Sequence, residues 1–419
     1  MDYLISNKAI FVEGYKNAAI YDLKNNKVYK INQIGRDIIN RVILHGELPQ
    51  STIEREYLES LINNNLYDRK FRIKEYKTNT KCSIKLSFAW LEITQACNLK
   101  CLHCYIGETH KQSCNFLSVD KWIDIINQLF DVGCRSIQFI GGEPCVYPYL
   151  ISLIDYAGAK GFESITVFTN ASIITDELIS CFLKNNVNIR FSLYGHTEYI
   201  HDAITQICGS FGKTIAGVKR LLEQGINVSP AVIIMYENQS YTEEIKVFIK
   251  SLGLKYKGYD VIRNVFGGQQ TNHMPTDENI INNSKRNKPD FYINEKMFTN
   301  AYQTNTCWYG KFAITEIGTV LPCIFERNII FGDLKKQTIQ EILESEILKK
   351  CWLLTLKQVK TCMGCEFKYS CVDCRPLGKG SSGDILGKNP RCTYDPKIGE
   401  WNNGMNNNKN LSVNCDFYS

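Results

Sequence analysis

The sequence predicts an α/β protein: six strand–helix units forming an open, partial (β/α)6 barrel, with a small α+β domain before it and a cysteine-rich domain after it. Three observations predict this. Between residues 84 and 275, short apolar runs alternate with amphipathic stretches, the pattern of a parallel sheet covered by helices. Ahead of it, a hairpin pattern precedes two helical ones. Beyond it, an ordered set of cysteines runs from Cys307 to Cys392.

The N-terminal part, residues 1–83, contains NAAIYDLKNNKVYKIN, two strand-like runs joined by a Lys-Asn-Asn turn. QIGRDIINRVIL and STIEREYLESLINNNL follow as helices; Ser51 and Thr52 are caps for the second, with Glu54 near the capping-box position. A hairpin with helices suits peptide docking or a structural cap on the barrel. Over 84–275 the strands are LSFAWLEIT, SIQFI, SITVF, NIRFSLY, NVSPAVIIM and YDVIR. The helices between them often end in glycine, as helix C-termini do. Residues 276–300 are polar and Asn-rich and read as a linker, 301–400 form the cysteine-rich domain, and 401–419 are a loose tail.

Composition narrows the classes. With 44% hydrophobic and 22% charged residues among 419, the chain is an ordinary globular one. It has no apolar stretch long enough for a membrane span and its first residues lack a signal-peptide pattern, so a cytoplasmic protein without a membrane partner is expected. The net charge of +6 is spread rather than massed, which argues against nucleic acid. Eighteen cysteines in a reducing compartment point to metal or cluster ligation rather than disulfides.

Cys97, Cys101 and Cys104 form C-x3-C-x2-C at the end of the first barrel strand, where barrels carry their chemistry. The spacing lets three thiolates hold one four-iron cluster with no fourth ligand nearby, leaving an iron open to a cofactor. It differs from the C-x2-C pairs of zinc ribbons. At the end of the second strand, Gly141, Gly142, Glu143 and Pro144 combine backbone that can approach a ligand closely with an acid that can accept from an ammonium group.

These motifs resemble those of the radical S-adenosylmethionine (SAM) enzymes. The resemblance implies that the GGEP segment binds the methionine amino group of SAM and that His103 lies against its adenine. Thr169, Asn170 and Ser192, at strand ends facing the same mouth, can bond the ribose or carboxylate of SAM or cap the next helix. FSLYGHTEYIHDAIT with GSFGK is similar to a stretch of peptide-modifying members; His201 and Asp202 are expected to organise the loop, and Gln206, Ile207 and Cys208 replace a common glycine turn.

The C-terminal cysteines resemble the SPASM region of these enzymes, which houses two auxiliary clusters. By that resemblance Cys362, Cys365, Cys371 and Cys392 hold the distal cluster, and Cys307, Cys323 and Cys374 the proximal one with an open iron. Three [4Fe-4S] clusters and SAM are then the cofactors; a pair of zinc sites is the alternative for the C-terminal set. Cys351 and Cys415 are candidate surplus ligands, while Cys82, Cys114, Cys134, Cys145, Cys181 and Cys208 match no motif.

CEFKYSCVDCRPLGKGSSGD looks like the corresponding stretch of maturases that build thioether links in ribosomally made peptides. That implies a precursor peptide whose leader docks on the N-terminal domain, and a reductant such as flavodoxin or ferredoxin. C–C or C–O crosslinking and epimerisation use the same parts. Anaerobic sulfatase-maturing enzymes are the alternative, but they place an Asp after the second SPASM cysteine, where this chain has Ile324. A cluster-bearing electron carrier without SAM chemistry is a further alternative, opposed by GGEP and the barrel.

Overall fold

The computed structural model describes residues 2–78, 83–107, 116–263, 271–276 and 291–401. Strands β1 (Asp2–Leu4), β2 (Ala9–Glu13), β3 (Ala18–Asp22), β4 (Lys27–Ile31) and β5 (Lys74–Glu75) form an antiparallel sheet of order β4-β3-β2-β1-β5. On one face lie α1 (Gln33–Ile38), which runs on into a wider turn to Leu44, and α2 (Thr52–Asn63). Ser51 caps α2 by accepting from the Glu54 amide at 3.2 Å, while the Glu54 carboxylate accepts from the Gln50 amide at 2.7 Å.

The barrel strands are β6 (Phe88–Thr94), β7 (Ser136–Gly141), β8 (Ser164–Thr169), β9 (Asn188–Leu193), β10 (Val228–Ile234) and β11 (Asp260–Val261), all parallel in sequence order. Helices α3 (Val119–Asp131), α4 (Leu150–Lys160), α5 (Asp176–Lys184), α7 (Ser210–Glu223) and α8 (Thr242–Ser251) connect them. Their apolar faces enter one core with Leu91, Phe139, Val167, Phe191 and Val232 of the strands. An additional helix, α6 (Glu198–Thr205), occupies the segment read as an organised loop. Its Gln206 cap takes a left-handed φ of 58°.

The sheet does not stop at β6. After α9 (Glu295–Gln303), strand β12 (Lys311–Ile314) pairs parallel with β6, with Ala313 opposite Trp90. Then β13 (Thr319–Leu321) and β14 (Gly332–Asp333) extend the sheet antiparallel. The cysteine-rich part is therefore built onto the barrel's own first strand.

The stretch read as a linker over 276–300 meets structure at its end. Residues 277–290 lie outside the described ones, but the Val28 amide donates to the Phe291 carbonyl at 2.9 Å, and α9 begins at Glu295. Phe298 on α9 is fully buried between Tyr21 of β3 and Tyr369, with ring centroids 5.0 and 4.8 Å away. The N-terminal sheet is thus packed on both faces, by its own helices and by the C-terminal region. Trp401, placed at the start of the tail, pairs in a hairpin of β15 (Tyr394–Asp395) and β16 (Glu400–Trp401); 402–419 lie outside the described residues.

Phe298→Ala is expected to lower stability by about 3–5 kcal/mol. Urea unfolding would read this as a lower midpoint at unchanged slope; an unchanged midpoint would mean that α9 does not tie the sheet to the C-terminal region.

Candidate functional site

The C-terminal ends of the barrel strands open on a cavity of about 710 Å³. Cys97, Cys101 and Cys104 line it on the loop after β6, with His103, Gly141, Gly142, Asn170 and Ser192 around them. That loop is fixed from below: the amides of Lys100 and Leu102 donate to the Thr205 and Ile204 carbonyls at the end of α6, both at 3.0 Å. Asp202 in turn accepts from the amides of Gly209 and Phe211 and the hydroxyl of Ser210 at 2.5, 2.8 and 2.6 Å, capping α7. His201 is buried against Tyr194 and Phe211, and burial lowers its pKa to about 4. Neither residue lines the cavity, so both organise the loop from behind.

Glu143 stands elsewhere than the sequence reading placed it. Its side chain is fully buried and does not line the cavity. The carboxylate accepts from the Thr169 hydroxyl (2.6 Å), the Asn170 amide (2.6 Å) and the Cys145 amide (2.9 Å). It ties the end of β7 to the end of β8. Burial raises its pKa.

Gly141 and Gly142 require bare backbone on account of the chain itself. A Cβ on Gly142 would lie 2.2 Å from the Ala96 carbonyl oxygen, and one on Gly141 would lie 2.1 Å from that of Thr94. The Asn170 side chain also has work within the fold: its amide donates to Asn98 at 2.8 Å and its oxygen accepts from Ser172. His103 meets Tyr194 edge to face at 4.6 Å, and burial lowers its pKa to about 4.

The ten predicted ligands fall into three groups. Burial raises Cys101, and the neighbouring Cys97 and Cys104 raise it further, so these three thiols share one space. Cys307 and Cys374 are within hydrogen-bonding reach with Cys323 beside them; that bond holds Cys374 below and Cys307 well above the ordinary thiol range. Burial raises Cys362, Cys365 and Cys371, and the neighbouring Cys392 raises all three further. The cysteines described are all free thiols. Buried thiolates that repel each other need a cationic centre to coexist, so each group fits a metal cluster. Cys351 joins none of them: it packs in the barrel core with Glu326 and Lys379 as its charged neighbours. Cys82, Cys114 and Cys415 lie outside the described residues.

Sequence reasoning missed the ion pairs that hold these groups in place. Glu92 of β6 takes both arms of Arg327 at 2.7 and 2.8 Å, and this guanidinium also lies 5.3 Å over the Tyr105 ring. Asp260 of β11 pairs with Arg263, which lies beside Cys374, and with Arg391, which adjoins Cys392. Arg375 is fully buried, forked onto Asp373 and donating to the Ile385 and Gly387 carbonyls at 2.8 and 2.9 Å. Arginine's planar fork suits such sites, yet nothing in local sequence marks which carboxylate it will meet.

Comparison with known proteins agrees with this geometry. The radical SAM superfamily model matches residues 91–249, and the SPASM iron–sulfur cluster-binding domain model matches 307–366. The chain belongs to the radical SAM superfamily. As a radical SAM enzyme with a SPASM domain it binds SAM and iron–sulfur clusters. It is similar to the antilisterial bacteriocin subtilosin biosynthesis protein AlbA of Bacillus subtilis, 25% identical over 70% of this chain and 68% of that protein. It is also similar to an AdoMet-dependent heme synthase of Methanosarcina barkeri, 24% identical over 74% of this chain and 96% of that one. Among solved structures, Streptococcus suis SuiB bound to precursor peptide SuiA superposes with a TM-score of 0.59 at 15% identity, covering 94% of this radical SAM enzyme and all of SuiB. anSMEcpe with bound AdoMet gives 0.59 at 16% identity over 73% and 93%. No described helix is long and apolar enough to cross a membrane.

Replacing Glu92 by Gln leaves the nearly buried Arg327 without its carboxylate, at an expected cost of about 3–5 kcal/mol. Replacing Arg327 by Met in the same protein should recover part of that loss. Thermal unfolding of the two single variants and the double variant measures the coupling; additive losses would show that the pair is not one unit.

Proposed function

We propose that this radical SAM enzyme matures a ribosomally made peptide, joining a peptide cysteine sulfur to a carbon as a thioether. The observation that carries the reading is the join of the N-terminal sheet to the barrel's cysteine-rich extension. Tyr21 donates to the Glu366 carbonyl at 2.8 Å, and the Tyr15 amide donates to the Gly364 carbonyl at 2.8 Å. A domain with a strand edge, seated beside the C-terminal thiols, suits a substrate that is itself a chain. The likeness to SuiB extends over 94% of the chain. The heme synthase match uses nearly all of that protein and 74% of this one, which leaves about a quarter of this chain without a counterpart.

The residues divide the work. Cys97, Cys101 and Cys104 would hold the four-iron centre that binds SAM, Cys307, Cys323 and Cys374 the proximal centre, and Cys362, Cys365, Cys371 and Cys392 the distal one. When bound, the first centre and SAM supply a 5′-deoxyadenosyl radical, which takes a hydrogen atom from an unactivated carbon. Trp90, Phe168, Ile324 and Phe325 wall the cavity with apolar surface, which keeps water from the reacting carbon. Gly142 lets the strand end close against the cysteine loop, and Ser192 offers a hydroxyl to SAM. The three-thiol proximal set leaves room for a peptide thiolate. Closing the C–S bond removes a hydrogen atom from carbon, a proton from sulfur and one electron, for which the clusters that the C-terminal cysteines would hold would be the acceptors. A small acidic electron carrier such as flavodoxin or ferredoxin would supply the reducing electron.

Ile324 weighs against formylglycine formation. It is buried beside Cys323, faces the cavity and packs with Ile140, Ala313 and Leu321, so it offers no base where sulfatase-maturing enzymes carry an aspartate.

Anaerobic reconstitution followed by dithionite and SAM tests the reading. About twelve irons per chain and formation of 5′-deoxyadenosine are expected, with alanine at Cys97, Cys101 and Cys104 abolishing the cleavage. Zinc in place of iron, or no cleavage by iron-replete protein, would remove the radical reading. With the precursor peptide, a product lighter by two hydrogens and resistant to thiol alkylation marks the thioether; an alkylatable product of that mass points to C–C or C–O crosslinking.

A further inference from the structure

Arg190 stands apart from the other arginines around the cavity. Arg263 is held by Asp260, and Arg327 by Glu92. Arg190 lines the same cavity on β9 and is exposed to it. Among the described residues no carboxylate pairs with it; the Phe168 ring lies 5.5 Å from the guanidinium. Burial lowers its pKa with no opposing acid, whereas Asp260 and Glu92 outweigh burial at the other two. The acid lining the cavity, Asp260, already serves Arg263 and Arg391. Lys257 adds a second cation at the rim.

Depth separates Arg190 from SAM. Side chains two apart on a strand share a face and sit about 6–7 Å from one another along it. Arg190 therefore projects one layer below Ser192, away from the strand ends that carry Cys97, Cys101 and Cys104. Beside it in register lie Phe168 of β8 and Ser229 of β10, an aromatic face and a hydroxyl. A guanidinium held over a ring, with free donors in a half-dry cavity, matches a carboxylate by paired, charge-assisted hydrogen bonds.

We propose that Arg190 is the substrate anchor of this cavity: it receives a carboxylate of the peptide being modified, from an acidic side chain or the chain's C-terminus, and so fixes which carbon faces the radical. This rests on the peptide-maturase reading and adds a requirement to it, an anionic group placed below the reacting carbon.

The test uses the full chain, reconstituted with iron and sulfide, with SAM present, and four small probes in equilibrium dialysis. N-acetylglutamate α-amide is compared with N-acetylglutamine α-amide, and N-acetylalanine with its amide. Wild-type protein is expected to bind at least one carboxylate probe about tenfold or more above its neutral partner. Arg190→Gln should erase that ratio and Arg190→Lys should keep part of it, while SAM affinity and SAM cleavage stay at the wild-type level, which also shows that the variants fold. Preference for the glutamate probe assigns a side-chain carboxylate, and preference for N-acetylalanine assigns the C-terminus. Equal binding of charged and neutral probes, or binding of neither, overturns the proposal. So does a fall in SAM affinity in Arg190→Gln without a change in probe ratio, since the carboxylate would then be SAM's own. Cleavage of SAM without carboxylate preference removes only the anchor; absence of cleavage in wild-type protein removes the maturase reading and the anchor with it.

Discussion

The parallel pairing of β12 with β6 sets the geometry on which the rest depends. Cys97 follows β6, Cys307 precedes β12, and Cys323 follows β13. The first and second thiol groups thus hang from adjacent strands of one sheet, and their separation is fixed by backbone hydrogen bonds rather than by a flexible domain contact. An ion pair then locks the junction: Glu92 on β6 and Arg327 after β13 meet between the two groups, close enough that both Cys104 and Cys323 feel the guanidinium. Such a pair is a poor source of net stability, because desolvation offsets most of the attraction. Its value is in orientation, since one geometry satisfies both arms of the arginine.

The same device recurs wherever two parts of the chain must keep register around thiols. Asp260 on the last barrel strand reaches the proximal group through Arg263 and the distal group through Arg391. Arg375 and Asp373 set the loop between Cys371 and the approach to Cys392. Buried thiols in contact raise each other's pKa, and the closely packed bare set is electrostatically unfavourable once ionised. Guanidinium groups spaced between the sets lower that repulsion and fix the loops that carry the thiols.

What the sequence made legible follows the range of the interactions. Strand and helix periods and the cysteine spacings are local, and each barrel strand and each connecting helix could be read from them. Strand β12 is four residues long and owes its place to pairing with β6, more than two hundred positions earlier; nothing local distinguishes KFAI from any short apolar run. Residues 291–300 read as connector because polar residues surround Phe298, and only the aromatic nest of Tyr21, Tyr76 and Tyr369 reveals that ring as core. Glu143 and Asn170 were found by motif and position, but which way their side chains turn is decided by donors on other strands. Both turned inward, to Thr169 and Asn98.

That inward turn changes where specificity resides. With the buried Glu143 side chain turned to three donors of the fold, the wall around the first thiol group presents chiefly backbone, a histidine, and the hydroxyl of Ser192 to a cofactor. Side-chain charge appears one layer lower on β9, at Arg190, beside Phe168 and Ser229. A radical formed near the strand ends has no chemical preference strong enough to choose among peptide carbons, so choice falls to positioning. The apolar wall of Trp90, Phe168, Ile324 and Phe325 holds a chain without fixing its register. Register needs a directional contact, and the Arg190 guanidinium one layer below the reacting position provides one. The fold thus separates two tasks along the barrel axis: backbone and thiols at the top for a cofactor common to the superfamily, and a charge beneath it for the substrate.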